Sequence, residues 1–434
     1  MAYDIIIGRN ESDRKAFGEK GLVFLGKGYV KMGQYTSLSN KIFMDVVRSH
    51  VVLVTGKRGS GKSYSLGVIA EELSNLPKEV SQNISSLIFD TMGIFWTMKY
   101  KNEKDRELLQ EWNLKTKNLP VKIFVPYGHY ENYLESSIPA DEPFALNSSE
   151  LSAEDWIMTF NLTMTNSISV LIERVISDLK EKENFNISDI ISTVEKDEKA
   201  DSKTKNATIS LFEAANSWGI FAKTEEETQI EDLVLPGTTT ILDLSVYSSI
   251  GTFNVRALVI SLVSRKIFSQ RMAYRKAEEV KSVAKPFELS EKEKKKYPLV
   301  WMFIDEAHEF LKINEKTPAT DALIQLLREG RQPGISLVLA TQQPGQIQKD
   351  VMTQADIIIS HRVTSQPDVE ALNYMMQSYL LESIKKYMDE LPDSKGSAII
   401  LDDNSERIYP MRVRPRFTWH GGESPTAMSV EKKL

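Results

Sequence analysis

The stretch Gly56-Lys57-Arg58-Gly59-Ser60-Gly61-Lys62-Ser63 constrains this chain more than any other. An apolar run, Val51 to Thr55, precedes it, and a segment that reads as a helix, Ser63 to Leu73, follows. Strand, glycine-rich turn and helix form the context that a phosphate-binding loop requires. Glycines let the backbone curl until several N–H groups aim at one anion, and the helix N-terminus adds the positive end of its dipole. Gly59, Ser60, Gly61, Lys62, Ser63 and Tyr64 are therefore the expected nucleotide contacts. Lys62 reaches the β- and γ-phosphates and the Ser63 hydroxyl sits on Mg²⁺. The expected ligands are ATP and Mg²⁺.

From Val51 onward short apolar runs alternate with helical segments, which marks an α/β fold with a mostly parallel sheet. The expected buried strands are Val51–Thr55, Leu87–Asp90, Val121–Val125, Thr239–Leu244, Val300–Asp305, Ile335–Thr341, Ile357–Ser360 and Ala398–Leu401. Residues 1–47 read as short strands punctuated by glycine, a small N-terminal β element. The core begins at 48–149, is interrupted by a helical insertion over 150–232, and resumes over 233–404, with a C-terminal strand and tail at 405–434. Within the insertion Leu151 to Phe160, Ile168 to Leu179 and Lys203 to Trp218 read as helices, and Ser152 with Asp155 as a capping box. The charged run Glu195–Lys205 reads as a mobile, solvated loop, and a second run, Lys276–Lys296, as a solvated linker or a helix end.

Composition narrows the chemistry. The 434 residues include no cysteine, so disulfides and thiolate metal sites are excluded, and the five histidines lack metal-ligand spacing. A net charge of −6 speaks against a surface coated in basic patches but leaves room for basic residues confined to a channel. No signal peptide and no membrane span are expected, and the location expected is cytoplasmic.

Two further pieces complete a motor. Leu299 to Glu306 is an apolar strand ending in two acids. In phosphate-loop enzymes the first acid holds Mg²⁺, here Asp305, and the next, Glu306, is placed to orient or deprotonate water. Asp305-Glu306-Ala307-His308 also spells the box of a helicase superfamily, but that superfamily needs a second motor domain for which the residues after Thr341 leave too little room. Ile335 to Ala340 is another apolar strand, and Gln342 at its tip is the expected γ-phosphate sensor. The helix Asp321 to Gln332 carries Arg328 and Arg331 at its end, where an arginine either caps the helix or, in a ring, enters a neighbour's site. Arg407, Arg412, Arg414 and Arg416 are threaded with Tyr409, Phe417 and Trp419. They read as an edge strand with a solvated face, or as a brace against a neighbouring subunit, the nucleotide or a partner.

The set resembles the HerA-like motors of the HerA/FtsK superfamily. The resemblance rests on HVVLVTGKRGSGKSYSLGVIAE at 50–71, WMFIDEAHEFL at 301–311 and LLREGRQPGISLVLATQQP at 326–344. It implies a RecA-like P-loop NTPase that forms a homo-hexamer around double-stranded DNA and translocates or unwinds it at the expense of ATP. It implies a nuclease partner of the NurA type in DNA end processing and repair, or alternatively a scaffold for a nuclease or effector in antiviral defence. Carried over by residue, Lys62, Glu306 and Gln342 serve catalysis, Ser63 and Asp305 serve the metal, and Arg331 is the finger supplied in trans, with Arg328 its rival. The turn Asp90-Thr91-Met92-Gly93 lacks the extra acid that many relatives place there. Lys99, Lys101 and Lys104 are candidate DNA contacts.

Overall fold

The apolar runs pair as strands covered on both faces, and each strand sends alternate residues to two cores. The computed structural model describes residues 3–32, 35–181, 184–222, 227–249, 253–284, 297–376 and 384–422. Its strands are β1 (Ile5–Ile7), β2 (Leu22–Met32), β3 (Tyr35–Asp45), β4 (Val51–Thr55), β5 (Ile84–Asp90), β6 (Val121–Pro126) and β7 (Glu142–Phe144). They continue with β8 (Thr239–Asp243), β9 (Leu299–Ile304), β10 (Ile335–Thr341), β11 (Ile357–His361), β12 (Ser397–Asp402) and β13 (Arg407–Val413). All join one sheet in the order β1-β3-β2-β13-β12-β11-β4-β10-β9-β5-β8-β6-β7. From β11 to β7 every pair is parallel, so the carboxyl ends of β4, β10, β9, β5 and β8 share one edge.

The alternation is visible along β9. Val300, Met302 and Ile304 enter the core that holds the helical insertion, while Trp301 and Phe303 enter the other. That second core receives Leu66, Val68, Ile69 and Leu73 from the helix Lys62–Asn75, which follows the glycine-rich loop. Ten of its fourteen residues are buried, so this helix is a clamped element rather than a surface one.

The insertion packs Ala153–Thr159, Ser167–Lys180, Ile187–Lys196 and Ser202–Ser217 around Trp156, Phe160 and Phe212. The capping box at Ser152 and Asp155 is present. Helix Ile187–Lys196 was absent from the sequence reading, and it shortens the expected loop: Glu195 and Lys196 end this helix, and Ser202–Lys205 begin the next. The residues between are tied down. Asp197 pairs with Arg174 at 2.6 Å and accepts N–H bonds from Lys199 and Ala200, and Asp201 caps the next helix. Of the second charged run, 276–284 continues the long helix Val255–Ala284, and 285–296 lies outside the described residues.

Residues 3–45 also contain a helix, Glu11–Phe17, capped by Asn10. Strands β2 and β3 reach the core sheet through β13, with Met411 opposite Gly28. The C-terminal strand is therefore not an edge: it is flanked by β12 and β2. Nor do its arginines all face solvent, since Arg414 and Arg416 are fully buried.

Candidate nucleotide and hydrolysis site

The site begins where β4 ends. Gly59 (φ 74°) and Gly61 (φ 113°) hold the left-handed backbone that side chains resist, and the loop turns into its helix at Lys62. The Lys62 side chain folds back to 3.3 Å from the Lys57 carbonyl. Burial pulls its ammonium below the ordinary value, and the carboxylates of Glu306 and Asp305 oppose that pull.

Sheet order brings the acids to the loop. β10 lies between β4 and β9, with Thr341 beside Thr55 and Leu339 beside Ile304. Asp305 and Glu306 thus leave β9 level with the tip of β10. Ser63 Oγ donates to Asp305 Oδ2 at 2.5 Å, across 242 residues of sequence. Burial raises the Asp305 carboxyl, and this hydrogen bond and the Lys62 charge oppose the rise. Glu306 adopts the left-handed conformation (φ 52°, ψ 43°), uncommon for a residue with a side chain. Burial first, then the Asp305 charge, pushes its carboxyl up to about 7.

Three polar atoms here are buried without a hydrogen-bond partner among the described residues: Ser60 Oγ, Glu306 Oε2 and His308 Nδ1. Buried polar atoms without partners cost free energy unless a ligand or water meets them. Orphaned oxygens, a buried ammonium and two acids beside a hydroxyl fit a magnesium–triphosphate group. Ser63 and Asp305 are the oxygen donors suited to the metal, and Mg²⁺ takes few protein ligands beside phosphates and water.

Gln342 follows Thr341 directly, one residue beyond the tip of β10 and between loop and acids. Arg331 is not in the site. It lies between the helix Thr320–Glu329 and the start of β10, on the opposite edge of the sheet, where it contacts Asp356 at 3.0 Å and is mostly exposed. β10 alone separates that edge from the loop by roughly 20 Å. Arg328 pairs with Asp350 at 2.7 Å. The Tyr64 side chain meets the C-terminal residues, its hydroxyl accepting the Arg416 N–H at 2.7 Å. Of the basic candidates, Lys99 is paired with Asp141, while Lys101 is exposed.

Sequence reasoning passed over two histidines. His308 Nδ1 lies 3.4 Å from Glu306 Oε2 on the short turn after β9, and burial pulls its pKa down. His361, at the end of β11, lies beneath the loop. It donates from Nδ1 to the Ser397 carbonyl at 3.0 Å and accepts from Ser65 Oγ at 2.8 Å. A Cβ on Gly61 would approach its ring at 3.3 Å, and burial pulls its pKa down to about 4, so it is neutral. The only signal for His308 was its spacing from Glu306; for His361 there was none.

A family model described as "Helicase HerA, central domain" matches residues 30–267, more than half of the chain. The "DNA double-strand break repair helicase HerA" of Pyrococcus furiosus is 26% identical over 190 residues, 39% of this chain and 31% of that protein. The "Probable DNA double-strand break repair helicase HerA" of Methanocaldococcus jannaschii is 35% identical over 69 residues, 16% of this chain and 14% of that one. The matched stretches thus span less than a third of either relative. Among solved structures, VirB4 of Thermoanaerobacter pseudethanolicus superposes with a TM-score of 0.54 over 91% of this chain and 97% of its own, at 11% identity. That likeness is one of fold alone. No helix among the described residues is long and apolar enough to cross a membrane.

Proposed function

The chain belongs to the family of the helicase HerA central domain, and from that premise we propose that it is a ring-forming ATPase that moves along double-stranded DNA. One observation carries the chemistry: Ser63 of the loop meets Asp305, the residue after β9, at 2.5 Å, with Lys62 within electrostatic reach of both Asp305 and Glu306. Lys62 binds the terminal phosphates, and the loop N–H groups hold the rest. Ser63 and Asp305 are the residues that would hold Mg²⁺, which would supply charge neutralisation to the phosphates. Glu306 accepts a hydrogen bond from the attacking water and takes its proton as the bond from water to the γ-phosphorus forms and the bond from that phosphorus to the β-phosphate oxygen breaks, releasing ADP and phosphate. Gln342 bonds a γ-phosphate oxygen from the adjacent strand tip. Arg331 of a neighbouring copy completes the site, because within one chain it is a sheet's width away.

Both relatives carry double-strand break repair in their names. We extend that role here, in a hexameric ring working with a nuclease that trims DNA ends. The test is ATP hydrolysis with and without duplex DNA at low salt. Hydrolysis should rise with DNA, lose that stimulation as salt displaces phosphate contacts, and vanish in Lys62→Ala. A rate that duplex DNA leaves unchanged at low salt overturns the DNA reading; no hydrolysis under any condition overturns the motor.

A further inference from the structure

Residues 414–420 cross the helix that follows the phosphate loop, and they are fixed to it chiefly by the buried Glu71, with Glu72 pairing Arg414 Nε at 2.9 Å. Glu71 is fully buried on that helix. Its Oε1 accepts from Arg416 Nε at 3.0 Å, from the Thr418 N–H at 2.9 Å and from the Thr418 hydroxyl. Its Oε2 accepts from both terminal nitrogens of Arg414 at 3.1 Å and from the Phe417 N–H at 2.9 Å. Burial alone would raise this carboxyl, but the Arg416 and Arg414 charges hold it below its ordinary value. The strap also needs a bare helix surface: a Cβ on Gly67 would stand 2.6 Å from the Arg416 guanidinium carbon.

The strap ends beside the first helical turn. Arg416 gives its N–H to the Tyr64 hydroxyl, its guanidinium to His420 Nδ1 at 3.2 Å, and lies 5.9 Å from the centre of the Tyr64 ring. The His420 ring stands edge-on to Tyr64, centroids 5.2 Å apart. Both rings are half-buried, so each keeps surface open to solvent. Tyr64 is the residue after Ser63. A nucleotide whose outer phosphates lie on Lys62 has its α-phosphate toward this first turn. Tyr64 stands in that turn, with the His420 ring packed against it.

We propose that Tyr64 and His420, locked together through Arg416, form the seat of the nucleotide's aromatic base, which makes the C-terminal strap a wall of the nucleotide site. The inference rests on the ATPase reading and adds to it a contact with the base. Stacking on such rings is tolerant of base identity, because every base offers a π-face.

Equilibrium titration of the full chain with Mg²⁺–ATP, Mg²⁺–ADP and Mg²⁺–tripolyphosphate tests it, since tripolyphosphate has phosphates and no base. His420→Ala should weaken ATP and ADP by roughly 5- to 50-fold, the range expected for one lost stacking partner. Tripolyphosphate should bind it as it binds the parent chain, and His420→Phe, which keeps a ring, should recover most of the loss. Equal weakening of all three ligands would show the strap to be scaffolding and overturn the proposal, as would no weakening of any. A parent chain that binds tripolyphosphate and ATP with the same affinity also overturns it, while leaving the phosphate site intact. A parent chain that binds none of them overturns the ATPase reading itself.

Discussion

Glu306 concentrates the unusual features of the site in one residue. Its left-handed backbone costs about 1 kcal/mol relative to an ordinary conformation. The turn holds it there: its N–H donates to Asp305 Oδ1 at 2.9 Å and its carbonyl accepts from the Glu309 N–H at 2.9 Å. The result is a carboxylate turned back toward the loop, with one buried oxygen unpartnered. An unpartnered oxygen of this kind is what the proposed role as base requires. Glu306→Gln keeps the shape and removes the proton acceptor, so it should still bind ATP while turnover falls roughly 10²- to 10⁴-fold. A filter-binding assay beside a phosphate-release assay measures both; turnover at the parent rate would assign the base elsewhere. The letters Asp305-Glu306 were legible in the sequence because an apolar strand ending in acids after a phosphate loop has few other uses. The backbone that aims Glu306 was not, since a turn closed by hydrogen bonds to Asp305 and Glu309 leaves no compositional mark. His361 was illegible for another reason: its neighbours Ser65 and Ser397 are remote in sequence, and only the sheet order joins them.

At the scale of elements, the parallel strands were readable and the junctions between them were not. Local apolar runs fix a strand, whereas the pairing of β13 with β2 joins residues nearly the whole chain apart. The buried Arg414 and Arg416 mislead any reading by residue type, because Glu71 and Glu72 on a distant helix are what make their burial tolerable. His50 shows what holds such a junction. It lies between β3 and β4 with Nδ1 2.7 Å from Asp356 and Nε2 3.3 Å from Asp45, while Arg9 pairs with Asp45 and Arg331 with Asp356. Burial alone would lower its pKa, but the hydrogen bonds and charges of the two carboxylates prevail and raise it from 6.5 to about 9. A pKa raised on folding gives stability that is complete below the unfolded value, 6.5, and is lost as pH climbs through about 9. The loss should be on the order of 3 kcal/mol. Urea unfolding across that range should show the decline in the parent chain and a flatter profile in His50→Gln. Equal slopes in the two proteins would mean that His50 is neutral in the fold.

For the whole molecule, the decisive fact is that the two halves of the proposed chemistry lie on opposite edges of one sheet. The loop, Ser63, Asp305 and Glu306 occupy the carboxyl edge, and Arg331 occupies the other. In the ring proposed above they meet head to tail, the Arg331 edge of one copy against the loop edge of the next. Among the described residues Arg331 is held by Asp356, in an ion pair whose guanidinium is largely exposed and which a neighbour's phosphate would displace in the proposed ring. Arg331→Ala should therefore leave ATP binding intact and slow hydrolysis by roughly 10³-fold or more. Mixing supplies the sharper result. Arg331→Ala keeps its own base, and Glu306→Gln keeps its own arginine, so each alone has no complete seam. In a random mixture of equal parts, roughly a quarter of head-to-tail seams join an intact base to an intact arginine. Hydrolysis should accordingly reappear on mixing, rise to a maximum near equal proportions, and depend on protein concentration as rings exchange subunits. A mixture that stays inactive at every ratio, although both proteins bind ATP and assemble, would place the catalytic arginine somewhere other than Arg331.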